Sequence, residues 1–160
     1  MEIQNISVNT LVNGYEIQED HYECLFCGAS FGLHEVFPHE GRFFTAEGMM
    51  KLHIRQIHKS SFQALLSLDK KVTGLSDVQI EMLQYFFEGK SDQEIVEKSS
   101  LTSVSTVRQH RFKLREKEKQ AKIFIALMQL MKNPEHYEFI RGQNKWTNAI
   151  VLKNKNARKY

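Results

Sequence analysis

The chain has 160 residues, enough for one domain or two small ones, and its 41% hydrophobic and 26% charged content is that of an ordinary globular protein. No apolar run approaches the length of a membrane span and the N-terminus has no basic-then-apolar signal pattern, so no membrane partner and a cytoplasmic location are expected. Net charge is only +3, but the first 23 residues hold five acids and no Lys or Arg, whereas Arg108 to Lys122 holds seven Lys/Arg against two Glu. An acidic front and a basic back suit a protein whose back half meets a polyanion.

Residues 1–21 read as an N-terminal arm. Ile3, Ile6, Val8, Leu11 and Val12 interleave with Asn, Ser and Thr, which fits a short strand or a loose arm equally well. Asn13-Gly14 marks a turn. Nothing here assigns the arm a function.

Residues 22–60 carry the first chemical pattern. Cys24 and Cys27, the 2 cysteines of the chain, form a C-x2-C pair in YECLFCGASF. FFTAEGMMKLHIRQIH then places His53 and His58 at H-x4-H on a predicted helix. Two thiolates from a tight knuckle and two imidazoles from one helix face provide a tetrahedral S2N2 set, which suits one structural Zn2+. Phe44, Met50 and the histidine pair follow the second half of a C2H2 finger, and the stretch is similar to C2H2 zinc fingers with one departure. Twenty-five residues separate Cys27 from His53, about twice the usual dozen. The inserted GASFGLHEVFPHEGRFF alternates apolar and polar residues and predicts one enlarged β-hairpin with Gly41 at its turn. His34 and His39 lie in the insertion and could compete as ligands, although a lone loop histidine is usually solvated. A redox dithiol is the other reading of the cysteines, but it expects a βαβ context that the pattern lacks. Four protein ligands close a zinc site and argue against hydrolysis, and the chain has no P-loop and no G-x-S-x-G, so no enzyme is expected. The finger helix begins Ala46, Glu47, Gly48, poor in base-reading groups. The module is therefore expected to be structural or to bind a protein partner.

Residues 61–72 form a predicted helical connector. In SSFQALLSLDKK, Phe62, Leu65, Leu66 and Leu68 make an apolar face, the mark of a packed segment, and Thr73-Gly74 breaks it.

Residues 73–133 hold the second pattern. Ile80, Leu83, Phe86 and Phe87 fall on one helical stripe, and Gly89 follows where a helix C-terminus favours positive φ. Ser91 stands three residues before Glu94, a capping box that opens a short helix with Ile95 and Val96 facing inward. Ser103 starts a longer helix bearing Arg108, Gln109, Arg111, Lys113 and Arg115. A short helix, a turn and a basic helix make the helix-turn-helix plan, whose second helix enters the major groove of double-stranded DNA. Arg can pair with guanine and Gln with adenine, while other cations neutralise phosphates. A small helical bundle with a solvated basic face is the plainer alternative.

The stretch resembles the DNA-binding domain of the LuxR family of bacterial transcription regulators. The resemblance rests on Leu75-Ser76, Glu81-Met82-Leu83, Gly89, Ser91, Glu94-Ile95, Leu101, Ser103, Thr106-Val107, Arg108, His110 and Leu114. It implies a four-helix domain that binds DNA as a homodimer, with a recognition helix over Ser103–Leu114 and Val107 and Leu114 inside. It also implies that Arg108 and Gln109 face bases while Thr106, His110 and Arg111 lie near the backbone. The order of knuckle, hairpin, HIRQIH and helix-turn-helix further resembles a group of small uncharacterised regulators from Gram-positive bacteria.

After Leu114 the chain departs from the LuxR pattern, which closes with a short fourth helix. No Gly or Pro occurs from Arg108 to Lys132, which predicts one continuous helix ended by Asn133-Pro134. Leu114, Ala121 and Met128 are seven apart with Phe124 and Met131 between them, about two heptads, so a dimer seam and packing on its own domain are both open. Residues 134–160 form a basic tail with Trp146 and an apolar run at 149–152. The fold class expected is mainly α, with a small α+β zinc-binding module (β-hairpin plus helix) followed by a LuxR-like helix-turn-helix domain with an extended C-terminal helix. The function expected is sequence-specific binding of double-stranded DNA as a transcription regulator. A protein-interaction adaptor and a zinc/thiol redox-sensing regulator are the alternatives.

Overall fold

The computed structural model describes residues 3–132 and divides into two compact units, residues 1–80 and 81–160. The tail from residue 134, with Trp146 and the 149–152 run, lies outside the described residues.

The first unit opens with a 3-10 turn, Ile3–Asn5, and helix α1, Val8–Asn13. The arm is thus a helix followed by a strand, where a strand or loose arm was expected. Ser7 makes the difference, because its side chain accepts the Thr10 N–H and so caps a helix start. Strands β1 (Tyr15–Ile17), β2 (His21–Cys24) and β3 (Ser30–Gly32) form an antiparallel sheet in that order, with Tyr15 paired to Cys24 and Tyr22 to Phe31. Strands β4 (Val36–His39) and β5 (Arg42–Thr45) form a separate hairpin closed by Glu40 and Gly41. The insertion is therefore not one enlarged hairpin: its first strand pairs back onto the knuckle strand and only its second half folds on itself.

Helix α2, Ala46–Ile57, is capped by Thr45 and buries Met50, Leu52 and Ile54. Cys24, Met50 and Ile54 are the centre of the core, surrounded by Tyr15, Tyr22, Phe26, Ala29 and Phe31. The connector is two short helices instead of one, α3 (Ser61–Leu66) and α4 (Lys70–Thr73). The Asp69 side chain accepts the Lys71 N–H and starts the second helix anew.

The arm is locked to this unit at Gly14, which caps α1 at φ +82°. A Cβ there would lie 2.6 Å from Ser61 Oγ, 2.7 Å from Ile54 Cδ1 and 2.8 Å from Phe26 Cε2. The Gly14 carbonyl also accepts the Leu25 N–H at 3.0 Å, tying the arm to the cysteine knuckle. Gly14→Ala is expected to destabilise the unit by about 1–3 kcal/mol from overpacking, with roughly 1–2 kcal/mol of left-handed strain in addition. Urea unfolding followed by the near-UV signal of Tyr15 and Tyr22 measures this. An unchanged midpoint would mean that the arm does not pack on the knuckle.

The second unit contains most of α5 (Asp77–Phe87), together with α6 (Asp92–Lys98) and the 29-residue α7 (Val104–Lys132). Its core is one side chain from each helix, Met82, Ile95 and Val107, all 0% exposed, with Tyr85, Phe86, Val96, Leu101 and Leu114 around them. The stripe read for α5 is rotated from the observed one, since Met82 is buried and Phe87 is 55% exposed. After α5 the Lys90 N–H bonds the Tyr85 carbonyl and the Gly89 N–H that of Phe86, a Schellman ending with Gly89 at φ +70°. Ser91 and Glu94 form the capping box that opens α6. From Lys117 onward α7 is exposed along its whole described length, including Phe124 at 63% and Met131 at 71%.

Candidate functional site

The first site is built by β2 and α2. Cys24 ends β2, and the chain turns through Gly28 so that the Gly28 N–H bonds the Cys24 carbonyl and the Cys24 N–H that of Ala29. This knuckle presents two sulfurs toward α2. His53 comes from the body of α2, while His58 is its C-cap, with its N–H on the Ile54 carbonyl. Cys27 Sγ lies 3.2 Å from His53 Nε2 and Cys24 Sγ 3.5 Å from His58 Nε2. The ligand atoms of all four residues lie within 4.8 Å of one another, so the group could hold a metal ion.

The spacing fits a tetrahedral ion. Metal–sulfur bonds of about 2.3 Å and metal–nitrogen bonds of about 2.0 Å imply sulfur–nitrogen edges of roughly 3.5 Å. Burial pushes the Cys24 thiol above its ordinary pKa, so a cation must offset that cost before a thiolate persists. Burial and then the neighbouring His58 lower the pKa of His53, which favours the neutral imidazole that metals bind. Phe26 packs edge-on against His58 and Phe31 tilts against His53, fixing both rings. Among the described residues His34 and His39 are not part of the cluster. His39 instead accepts from Gln56 Nε2 at 3.3 Å and lies edge-on to Phe44.

Two positions that the sequence reading passed over support this centre. Tyr15 pairs with Cys24 across the sheet, and its hydroxyl donates to Glu47 Oε1 at 3.2 Å. Glu47 is held by Lys51 one turn on, so the arm is tied to the histidine-bearing helix as well as to the cysteine strand. The Asn13-Gly14 pair was the only signal of this; the cross-strand partner of Gly14-Tyr15 cannot be read from spacing.

No family model, curated protein or solved structure matches this chain. The second site must therefore be read from its own residues. Ser103 caps α7, its hydroxyl accepting the Thr106 N–H and bonding the Thr106 side chain. With Val107 buried, Ser105, Arg108, Gln109, Phe112 and Lys113 are all exposed, the spacing of one helix face. Arg115 is exposed as well, whereas Thr106 and His110 are half-buried. Arg111 is held in the fold: its Nη2 lies 2.8 Å from Asp92 Oδ1 and its guanidinium carbon 3.9 Å above the Phe86 ring. Asp92 also meets Arg108, whose Nε lies 3.5 Å from Oδ2. The Arg111 hydrogen bond keeps the Asp92 carboxyl below its ordinary pKa, with Arg108 adding to the effect. Phe112, 65% exposed beside Arg108 and Lys113, was not singled out by the sequence pattern. Among the described residues no helix is long and apolar enough to cross a membrane.

Proposed function

We propose that this chain is a zinc-bearing, sequence-specific binder of double-stranded DNA that acts as a bacterial-type, LuxR-like transcription regulator. The observation that carries the reading is the exposed face of α7. Arg108, Gln109 and Lys113 project from a helix whose opposite side is anchored by Val107 in a three-helix core. That combination suits a recognition helix, Ser103–Leu114, lying in the major groove, with Arg108 and Gln109 at base edges and Lys113 and Arg115 at phosphates. One structural Zn2+ on Cys24, Cys27, His53 and His58 would cross-link β2 to α2. A homodimer through the exposed face of α7, with Phe124 and Met131 at its seam, completes the proposal.

Selection of bound duplexes from a random pool tests this, with zinc present and then chelated. A two-fold repeat is expected. Zinc-loaded protein that binds no duplex at low salt would overturn the reading. Arg108→Ala is expected to relax base preference at one position by about 1–3 kcal/mol, roughly 5- to 150-fold. Lys113→Ala should instead weaken all duplexes alike and reduce the salt slope by about 1. Competition titrations at several salt concentrations separate the two effects.

The adaptor reading is favoured by one feature, the outward face of the β4–β5 hairpin. Val36 is 65% and Phe43 78% exposed, with Pro38 and Thr45 on the same face. It predicts a protein partner whose capture survives Arg108→Ala and fails with Phe43→Ser.

A further inference from the structure

Asp92 is the first residue of α6, where an acid in the first turn favours the helix dipole. That role alone would leave its carboxylate pointing at water. Instead the carboxylate bridges two arginines of α7 with different surroundings. Arg111 is only 35% exposed and is gripped from two sides, by Asp92 Oδ1 at 2.8 Å and by the Phe86 ring at 3.9 Å. Arg108 remains 74% exposed, and its nearest approach to Asp92 is made from Nε, the inner nitrogen of the guanidinium.

An arginine whose Nε faces a carboxylate is biased in the rotation of its planar group, while its two terminal nitrogens stay together as a fork. That fork matches the O6 and N7 acceptors that guanine shows in the major groove. We propose that Asp92 is a positioning residue that aims Arg108 at a guanine, and that Arg111 is the buttress that keeps Asp92 in place. This rests on the DNA-binding reading above. Arg111 accordingly does not touch DNA in the way that its place on the helix would suggest, because its charge is already satisfied within the unit. Biasing Arg108 in advance also reduces the side-chain entropy lost on binding, which sharpens discrimination between bases.

The geometry has a consequence with a definite sign. A carboxylate beside a polyanion-binding face repels phosphate, so removing its charge should tighten binding to duplexes of any sequence. If Asp92 only favours the helix dipole, Asp92→Asn would raise or leave affinity for all duplexes together. If it aims Arg108, Asp92→Asn should lose about tenfold of the preference for guanine at one position while affinity for unrelated duplex rises.

The experiment uses the full zinc-loaded chain, the duplex obtained by selection, the same duplex with each guanine replaced in turn by 7-deazaguanine, and an unrelated duplex. Wild type should lose preference at one guanine when N7 is removed. Asp92→Asn and Arg108→Lys should each lose that preference, and the double variant should lose no more than Arg108→Lys alone. Arg111→Met, which keeps apolar packing on Phe86 but removes the contact to Asp92, should lose part of the preference for guanine, and less of it than Asp92→Asn. Wild type that selects a sequence while Asp92→Asn keeps its guanine preference would overturn the inference alone. Additive losses in the double variant, or a preference left whole in Arg111→Met, would also overturn it. Absence of any duplex binding by wild type would overturn the DNA reading and the inference with it.

Discussion

Chelating the metal from the zinc-loaded chain is expected to unfold the first unit while leaving the second folded. The buried part of the Cys24 cluster is three residues, Cys24, Met50 and Ile54, a small centre for a unit of this size. Its sheet and helix are joined mainly through that cluster and through the four ligands. Structural zinc contributes about 10–16 kcal/mol of apparent binding energy, more than the roughly 5 kcal/mol expected for the whole stability of so small a unit. Without an ion, two thiols and two imidazoles face one another with only weak sulfur–nitrogen hydrogen bonds of 3.2 and 3.5 Å between them.

Cys27→Ser and Cys24→Ser should both lose the ion, but unequally in other respects. Cys27 is exposed, whereas Cys24 is 1% exposed, so the serine hydroxyl at position 24 adds a buried polar group costing about 1–3 kcal/mol if it finds no partner. Metal content by mass spectrometry and amide dispersion across residues 3–80 provide the readout. A metal-free protein with fully dispersed signals there would refute the structural role of the ion.

The second large effect is expected from Ile95→Ala. Ile95 is the only α6 side chain in the three-residue core, between Met82 of α5 and Val107 of α7. Truncating a buried isoleucine to alanine costs about 2–5 kcal/mol, because apolar burial is lost and the surrounding side chains relax only partly into the cavity. That approaches the entire stability of a unit this small. The variant should therefore lose the cooperative melting of α5–α7 and duplex binding together, while metal content stays at one ion. Arg108→Ala provides the contrast: melting is retained and base preference is lost. Far-UV melting alongside duplex titration distinguishes them, and an Ile95→Ala protein that melts like wild type would show that the helices are held by something other than this core.

Much of the local structure was legible from residue order because its causes are local. Ser91 and Glu94 cap a helix through atoms three residues apart, and Gly89 ends one through positive φ, so both are visible in the pattern. The absence of Gly or Pro after Arg108 likewise predicted a single helix through Lys132, and α7 is continuous over that range. The candidate metal ligands were legible for a related reason: C-x2-C closes a knuckle and H-x4-H shares a helix face whatever lies between. The structure adds that the four ligand atoms meet within 4.8 Å despite the long insertion.

What residue order could not decide was which distant partner each segment would take. The arm looked equally like a strand or a loose end, because nothing near it shows that Tyr15 pairs with Cys24 or that Gly14 must sit against Ser61, Ile54 and Phe26. The α5 stripe was misplaced because its helix has apolar residues on several sides, and only the approach of Ile95 and Val107 selects Met82 for burial. Arg108 and Arg111 look alike as cations on one basic helix. Their separation into an exposed side chain and a half-buried one depends on Asp92 and Phe86, contributed by two other helices. Sequence thus determined the caps, the candidate ligand set and the basic helix, whose interactions span a few residues. Tertiary structure alone decided the arm, the core register and the different surroundings of the two arginines, because each depends on a contact between segments far apart in the chain.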